Sequence, residues 1–117
     1  MKEAPDLAVR TKQFSLRVIR LHAALPASRV ARILGDQLLR CATSVGAHYR
    51  EARRAKSDAD YISKVEGAQQ ELEETGYWLE LIAESATLPP SKLRELLDET
   101  DQLQAILTTL ARKAKGR

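Results

Sequence analysis

The sequence predicts an all-α protein that folds as an antiparallel up-down-up-down four-helix bundle. The 117 residues are rich in Ala, Leu, Arg and Glu and only 4% are aromatic, which favours helices over strands. Apolar residues recur every three or four positions in four successive segments, as on one face of a helix. Prolines at 5, 26, 89 and 90 separate segments, and the short connections predict antiparallel neighbours within a single domain, residues 1–117.

The first two helices are predicted over about residues 6–24 and 27–55, with Asp6 and Ser28 as N-caps. The apolar face of the first consists of Leu7, Thr11, Phe14, Val18, Leu21 and Leu25. The expected core face of the second consists of Val30, Ile33, Leu34, Leu38, Cys41, Val45 and Ala52, with His48 and Tyr49 as further candidates.

The third and fourth helices are predicted over about residues 58–86 and 90–114, followed by a basic tail at 112–117. Ser57 is a favourable cap, and the acids Asp58 and Asp60 suit a first helical turn. The apolar repeat of the third helix is Tyr61, Ile62, Val65, Ala68, Leu72, Leu79 and Ile82. That of the fourth is Leu93, Leu96, Leu97, Leu103, Ile106, Leu107 and Leu110.

The net charge of +3 conceals an uneven distribution along the chain. Residues 1–57 carry 12 basic and 4 acidic side chains, whereas residues 58–111 carry 3 and 12. The tail adds four basic residues, Arg112, Lys113, Lys115 and Arg117. Such asymmetry indicates either nucleic-acid binding or pairing between oppositely charged helices.

The basic charge of the second helix is concentrated on one side. A helical wheel places five arginines within an arc of about 80°, nearly opposite the core face. This arginine ridge consists of Arg29, Arg32, Arg40, Arg50 and Arg54, and Arg53 and Lys56 extend its basic end. The guanidinium fork suits phosphate oxygens, so the ridge is a candidate nucleic-acid surface. The alternative is a solvated face, or a partner for an acidic ridge on the third helix, Glu66, Glu73, Glu80 and Glu84.

Other residues are candidates for subunit contacts. Val9 and Leu16 lie off the main apolar face of the first helix, and Trp78 lies off that of the third. Small residues cluster on one flank of the second helix at Gly35, Ala42 and Gly46. Small residues allow close approach of backbones, either between subunits or within the bundle.

The sequence carries no recognisable catalytic or cofactor-binding motif. The single Cys41 excludes an internal disulfide and a cysteine-based zinc site, and His48 with Glu51 is an incomplete metal-binding pattern. No apolar run has the length of a membrane span or a signal peptide. We therefore expect a non-enzymatic cytoplasmic protein without metal or cofactor.

The stretch from Gln37 to Leu79 resembles the four-helix-bundle family encoded by intervening sequences in bacterial 23S ribosomal RNA genes. The matching residues are Gln37-Leu38-Leu39-Arg40, Ser44-Val45-Gly46-Ala47-His48-Tyr49-Arg50-Glu51-Ala52, Ser57, Asp60-Tyr61-Ile62, Lys64, Glu71, Glu74-Thr75 and Tyr77-Trp78-Leu79. The chain departs from the family pattern at His48, where Asn is usual, and at Gly67-Ala68-Gln69-Gln70, where relatives are less glycine-rich.

The resemblance implies a left-handed bundle that assembles as a ring-like homopentamer. A related branch serves as the accessory subunit of diversity-generating retroelements, and binds nucleic acid and a reverse transcriptase. The leading hypothesis is therefore an oligomer that binds structured RNA, or DNA, through the ridge arginines with Arg53 and Lys56. Few aromatic residues are present for base stacking, so binding is expected to depend on shape and charge. The alternative is a protein-interaction scaffold, such as a reverse transcriptase partner, whose charged ridges pair between subunits.

Overall fold

The computed structural model describes residues 6–116, which form four long α-helices and, within that range, no strands. Consecutive helices run antiparallel, so the predicted bundle is confirmed. The helices are α1 (Leu7–Ala23), α2 (Arg29–Ala52), α3 (Asp58–Glu84) and α4 (Arg94–Lys115).

Side-chain caps begin the first three helices where the sequence predicts. Asp6, Ser28 and Ser57 each accept a hydrogen bond from a backbone N–H two or three residues ahead, at 3.0, 3.1 and 3.0 Å. Each such cap stabilises a helix by about 1 kcal/mol. Asp58 and Asp60 lie in the first turn of α3, where carboxylates interact favourably with the helix dipole.

The connection between α3 and α4 departs from the prediction of one helix from residue 90. Pro90–Lys92 form a 3-10 turn, and α4 begins at Arg94. The N–H groups of Lys92 and Leu93 donate to the carbonyls of Pro89 and Pro90, a tighter pattern than that of an α-helix.

The last turn of α3 ends in a left-handed residue that is not glycine. Ala86 has a φ of 58°, and its N–H donates to the carbonyl of Ala83. The N–H of Thr87 donates to the carbonyl of Ile82 at 3.1 Å. These two bonds form a Schellman motif, in which a left-handed residue closes the helix.

The core is formed mainly where α2 packs on α3, while α1 packs on α2 and α4 packs on α3. Its largest fully buried side chains are Phe14, Leu38, Leu72, Leu79, Ile82, Leu93, Leu103 and Leu107. Cys41 is also buried, as predicted, and lies 3.2 Å from the hydroxyl of Thr75. Among residues 6–116, no helix combines the length and apolar composition needed to cross a bilayer.

Two residues assigned to the core of α2 are exposed instead. Val30 is 59% and Ile33 52% exposed. Ala31, between them in the sequence, is completely buried, so the core face of α2 is covered at this end too. At about 100° per residue, Ile33 lies about 140° from Leu38 and Val30 about 80° from it, so Ile33 is on the outer side of the helix and Val30 at the edge of the core face.

The contact between α1 and α4 is slight and largely polar. The Nε atom of Arg10 donates to Glu99 at 2.7 Å, and its Nη2 donates to Glu99 at 2.9 Å and to Gln102 at 2.7 Å. Arg17, two turns further along α1, lies 3.8 Å from Glu95, which is one turn before Glu99 on α4.

The small residues of α2 allow close packing within the chain. A Cβ at Gly35 would clash with the Leu25 side chain, and one at Gly46 would lie 3.2 Å from Thr11 Oγ1. Ala42 is completely buried in the core. Of the two interpretations of these residues, packing within the bundle is therefore the one that their contacts favour.

Candidate nucleic-acid interface

Four arginines of the ridge are free to meet a ligand. Arg29, Arg32, Arg50 and Arg54 are all exposed. Within the described range of residues, none of the four forms an ion pair. Arg29 begins α2 and Arg54 follows its end, so the positive surface follows the length of the helix, about 36 Å at 1.5 Å per residue.

Arg40 has a different role from the other ridge arginines. Its Nη2 donates to Glu74 at 2.6 Å, and its Nη1 lies 3.5 Å from Glu71, both on α3. Arg40 therefore pairs with acids on a neighbouring helix, whereas its contact with phosphate stays a prediction. Sequence reasoning could not separate Arg40 from the rest because the pairing depends on the register between two helices.

The basic end of α2 forms a pocket against the start of α1. Arg50, Arg53 and Arg54 line it together with Ala8, and its volume is about 520 Å³. Arg53 lies 3.8 Å from the carboxylate of Asp6, the cap of α1. Arg53, which was predicted to extend the ridge, therefore lies in a concave site together with Arg50 and Arg54 of the ridge.

Lys56 follows the pocket in the turn between α2 and α3. Its side chain is exposed, and its backbone N–H donates to Asp60 at 3.2 Å.

The acidic ridge of α3 borders α4, whereas the arginine pocket borders α1. Glu66 pairs with Lys115 of α4 at 2.6 Å. Glu73, Glu80 and Glu84 are exposed, and within residues 6–116 they form no ion pair. The two ridges therefore lie on different sides of one chain. Of the basic tail, Arg112 and Lys113 are exposed in the last turn of α4, and Arg117 lies outside the described residues.

A polar cluster lies between α2 and α3 at His48. Its Nε2 lies 3.9 Å from Glu71 and its Nδ1 lies 3.8 Å from Glu51. The imidazole packs on Gly67, where a Cβ would lie 3.2 Å from the ring. The two departures from the family pattern therefore contact each other. Among the residues described, no group of three potential ligands could hold a metal ion.

Trp78 is half-buried and fixed by a hydrogen-bond network. Its indole N–H donates to Glu74 at 3.1 Å, and its ring packs edge-on against Tyr77 with centroids 5.3 Å apart. The bonds from Trp78 and Arg40 hold the pKa of Glu74 below its ordinary value. Burial raises the pKa of the Cys41 thiol beside this network.

Apolar side chains remain on the surface at the expected subunit-contact positions. Val9 is 54% and Leu16 36% exposed on α1, with Ile19 beside them, and Tyr77 is 55% exposed next to Trp78. Nothing in the described part of the chain covers them.

Comparison with known proteins supports the resemblance found in the sequence. The crystal structure of a protein of unknown function from the S23 ribosomal protein family of Bacteroides thetaiotaomicron superposes with a TM-score of 0.84. It shares 29% identity, and the alignment covers 89% of this chain and 96% of the other. The curated proteins include no match to the chain.

A model of one protein family matches a range of residues that includes nearly all of the described helices. The profile of the 23S rRNA-intervening sequence proteins matches residues 6–109, from the cap of α1 into the last turns of α4. Neither this description nor that of the Bacteroides protein names an enzymatic activity. The chain belongs to the family of 23S rRNA-intervening sequence proteins.

Proposed function

We propose that this protein is an oligomeric, non-enzymatic bundle that binds structured nucleic acid, most directly RNA, through the outer side of α2. The observation that carries the proposal is the row of four exposed arginines without an ion-pair partner among residues 6–116. Arg40, on the same helix, is satisfied by Glu71 and Glu74, which sets it apart from these four.

The chemistry of this surface suits a phosphate backbone better than unstacked bases. Guanidinium groups donate two parallel hydrogen bonds to phosphate oxygens. Among residues 6–116, Tyr77 is the one exposed aromatic side chain, whereas Tyr49, Tyr61 and Trp78 are half-buried. Recognition would then depend on the shape and charge of a folded or duplex RNA.

A mobility shift with a structured RNA at low salt tests this proposal. The variant carries Arg32→Ala, Arg50→Ala and Arg54→Ala, and we expect it to lose affinity at least tenfold. Each hydrogen bond to a charged group contributes about 1.5–3 kcal/mol, and about 1.4 kcal/mol is tenfold in affinity. The matched control replaces three exposed cations elsewhere, Lys12, Arg20 and Lys92.

The dependence of RNA affinity on salt concentration gives a second measure of the phosphate contacts. If the four arginines each neutralise one phosphate, the logarithm of affinity falls with a slope of about −3 to −4 against the logarithm of salt concentration. Equal binding and equal slopes for the wild type, the arginine variant and the control would overturn the proposal.

A second function is favoured by the position of the acidic ridge. The unpaired acids border α4 and the unpaired arginines border α1, so the two could meet only between copies of the chain. Complementary surfaces on different sides of a subunit are what a closed head-to-tail ring requires. In this alternative the ring is a scaffold for another protein, and a reverse transcriptase is the partner that the resemblance implies.

Light scattering separates the two functions. If the ridges pair between subunits, substitution of Arg32, Arg50 and Arg54 by Ala dissociates the oligomer, and so does substitution of Glu73, Glu80 and Glu84 by Gln. If the arginines meet phosphate, the mass is unchanged and only RNA binding is lost. An unchanged mass in both variants excludes the ridge-pairing alternative.

A further inference from the structure

We infer that the pocket at the end of α2 binds a terminal phosphate of a nucleic acid, a phosphomonoester rather than an internal phosphodiester. The inference builds on the proposed nucleic-acid function and assigns one end of that surface a distinct ligand. Arg50, Arg53 and Arg54 line this pocket of about 520 Å³ together with Ala8.

The first support is the convergence of three guanidinium groups. Arg50 lies in the last turn of α2, and Arg53 and Arg54 follow in the turn after it, so that all three side chains line the same pocket. A phosphomonoester carries a charge of about −1.5 to −2 at neutral pH and three acceptor oxygens, whereas a phosphodiester carries one charge. Three forked donors around one cavity suit the former.

The second support is the charge balance around the pocket. Asp6 is the acid that contacts the lining arginines, at 3.8 Å from Arg53. Glu51 is the other acid on this turn, but its carboxylate lies 3.6 Å from Lys64 and 3.8 Å from His48 on the side of α3. Neither of these two acids pairs with Arg50 or Arg54.

The third support is the place of the pocket in the bundle. It lies where α2 ends and α1 begins, at one end of the long axis of the molecule. Arg29 and Arg32, at the far end of α2, follow the surface of the same helix. A duplex whose body follows the outer arginines would bring its end to the pocket.

Binding of short RNA duplexes with phosphorylated or hydroxyl ends tests the inference. The probes are one duplex with 5′-phosphates, the same duplex with 3′-phosphates, and the same duplex with hydroxyl ends. We expect the wild-type protein to prefer at least one phosphorylated form by about fivefold or more, because charge-assisted bidentate bonds are the strong ones.

Two double variants with equal changes in charge show which arginines cause the preference for phosphorylated ends. Arg50→Gln with Arg54→Gln should abolish the preference for phosphorylated ends, whereas Arg29→Gln with Arg32→Gln should weaken all three duplexes alike. Replacement of Arg50 and Arg54 by Lys keeps the charge but removes the two parallel donors of each guanidinium group. It should therefore reduce the preference for phosphorylated ends. Thermal unfolding by circular dichroism establishes that each variant is folded.

A third variant alters the opposing charge without altering the fold. Asp6→Asn retains the helix cap, because Asn caps as well as Asp, and removes the carboxylate facing Arg53. We expect it to bind the phosphorylated duplex about two- to fivefold more tightly, since a nearby like charge no longer opposes the ligand. Unchanged or weaker binding would contradict the inference.

The outcome can be distinguished from that of the proposed function. RNA binding without any preference for phosphorylated ends overturns the inference and leaves the proposed function intact. If no RNA binds, the pocket can still be tested with a mononucleotide. The protein is titrated with uridine 5′-monophosphate and, in parallel, with uridine, and the NMR signals of the arginine Nε–H groups are followed. Shifts confined to Arg50, Arg53 and Arg54 with the monophosphate support the pocket, and their absence at millimolar concentration refutes it.

Discussion

Replacement of Ala86 by Gly should stabilise the protein, although it removes a methyl group. Ala86 has a φ of 58°, a left-handed conformation that costs an L-residue about 1–2 kcal/mol. Glycine removes that cost but gains freedom in the unfolded chain, which destabilises by about 0.4–1 kcal/mol. Ala86 is exposed, so no packed contact is lost. The net expected gain is about 0.5–1 kcal/mol.

Thermal unfolding measures this gain directly. For a chain of this length, about 1 kcal/mol shifts the midpoint by roughly 4 °C, so we expect an increase of about 2–4 °C. The comparison variant is Ala83→Gly, three residues earlier and inside α3, where glycine costs about 1 kcal/mol in helix propensity and also removes a half-buried methyl group. The same chemical change should therefore have opposite signs at the two positions. A lower midpoint for Ala86→Gly would show that the Schellman motif does not carry the strain assigned to it.

Three further outcomes are expected. Leu72→Ala should destabilise by about 2–5 kcal/mol in urea unfolding, because Leu72 is completely buried and the core cannot close around the cavity. Glu74 has a lowered pKa in the folded protein, so its contribution is present at neutral pH and is lost as the pH falls below about 4.5. Glu74→Gln should therefore flatten the acid side of the stability curve, and the emission of Trp78, the single tryptophan, should report the change. Cys41 is buried with a raised pKa, so a thiol reagent should modify it only at the rate at which the protein unfolds.

The helices and most of the core could be predicted because their signals are local. A cap at Ser28 or Ser57 depends on residues within one turn, and the face of α1 from Leu7 to Val18 follows from spacing alone. Val30 and Ile33 were assigned wrongly because they were grouped with the core by their apolar character, although at about 100° per residue Ile33 lies about 140° and Val30 about 80° from Leu38.

The candidate site was predicted less completely because charge on a sequence does not reveal its partners. Arg40 and Arg54 are equivalent on the helical wheel, yet only Arg40 lies opposite Glu71 and Glu74 across the α2–α3 contact. Similarly, the pocket depends on Ala8 at the start of α1 lying beside the end of α2, which no spacing in one helix could indicate.

The contact between His48 and Gly67 makes two sequence positions a single steric unit. A side chain at 67 would press a Cβ to within 3.2 Å of the imidazole, so the permitted size at one position is set by the other. Gly67→Ala should accordingly be more favourable when combined with His48→Asn than alone, with a coupling free energy of about 0.5–3 kcal/mol in a double-mutant cycle. The chain's two departures from the family pattern would then depend on each other. A variant that introduces a relative's residue at position 48 or 67 would have to change both positions together.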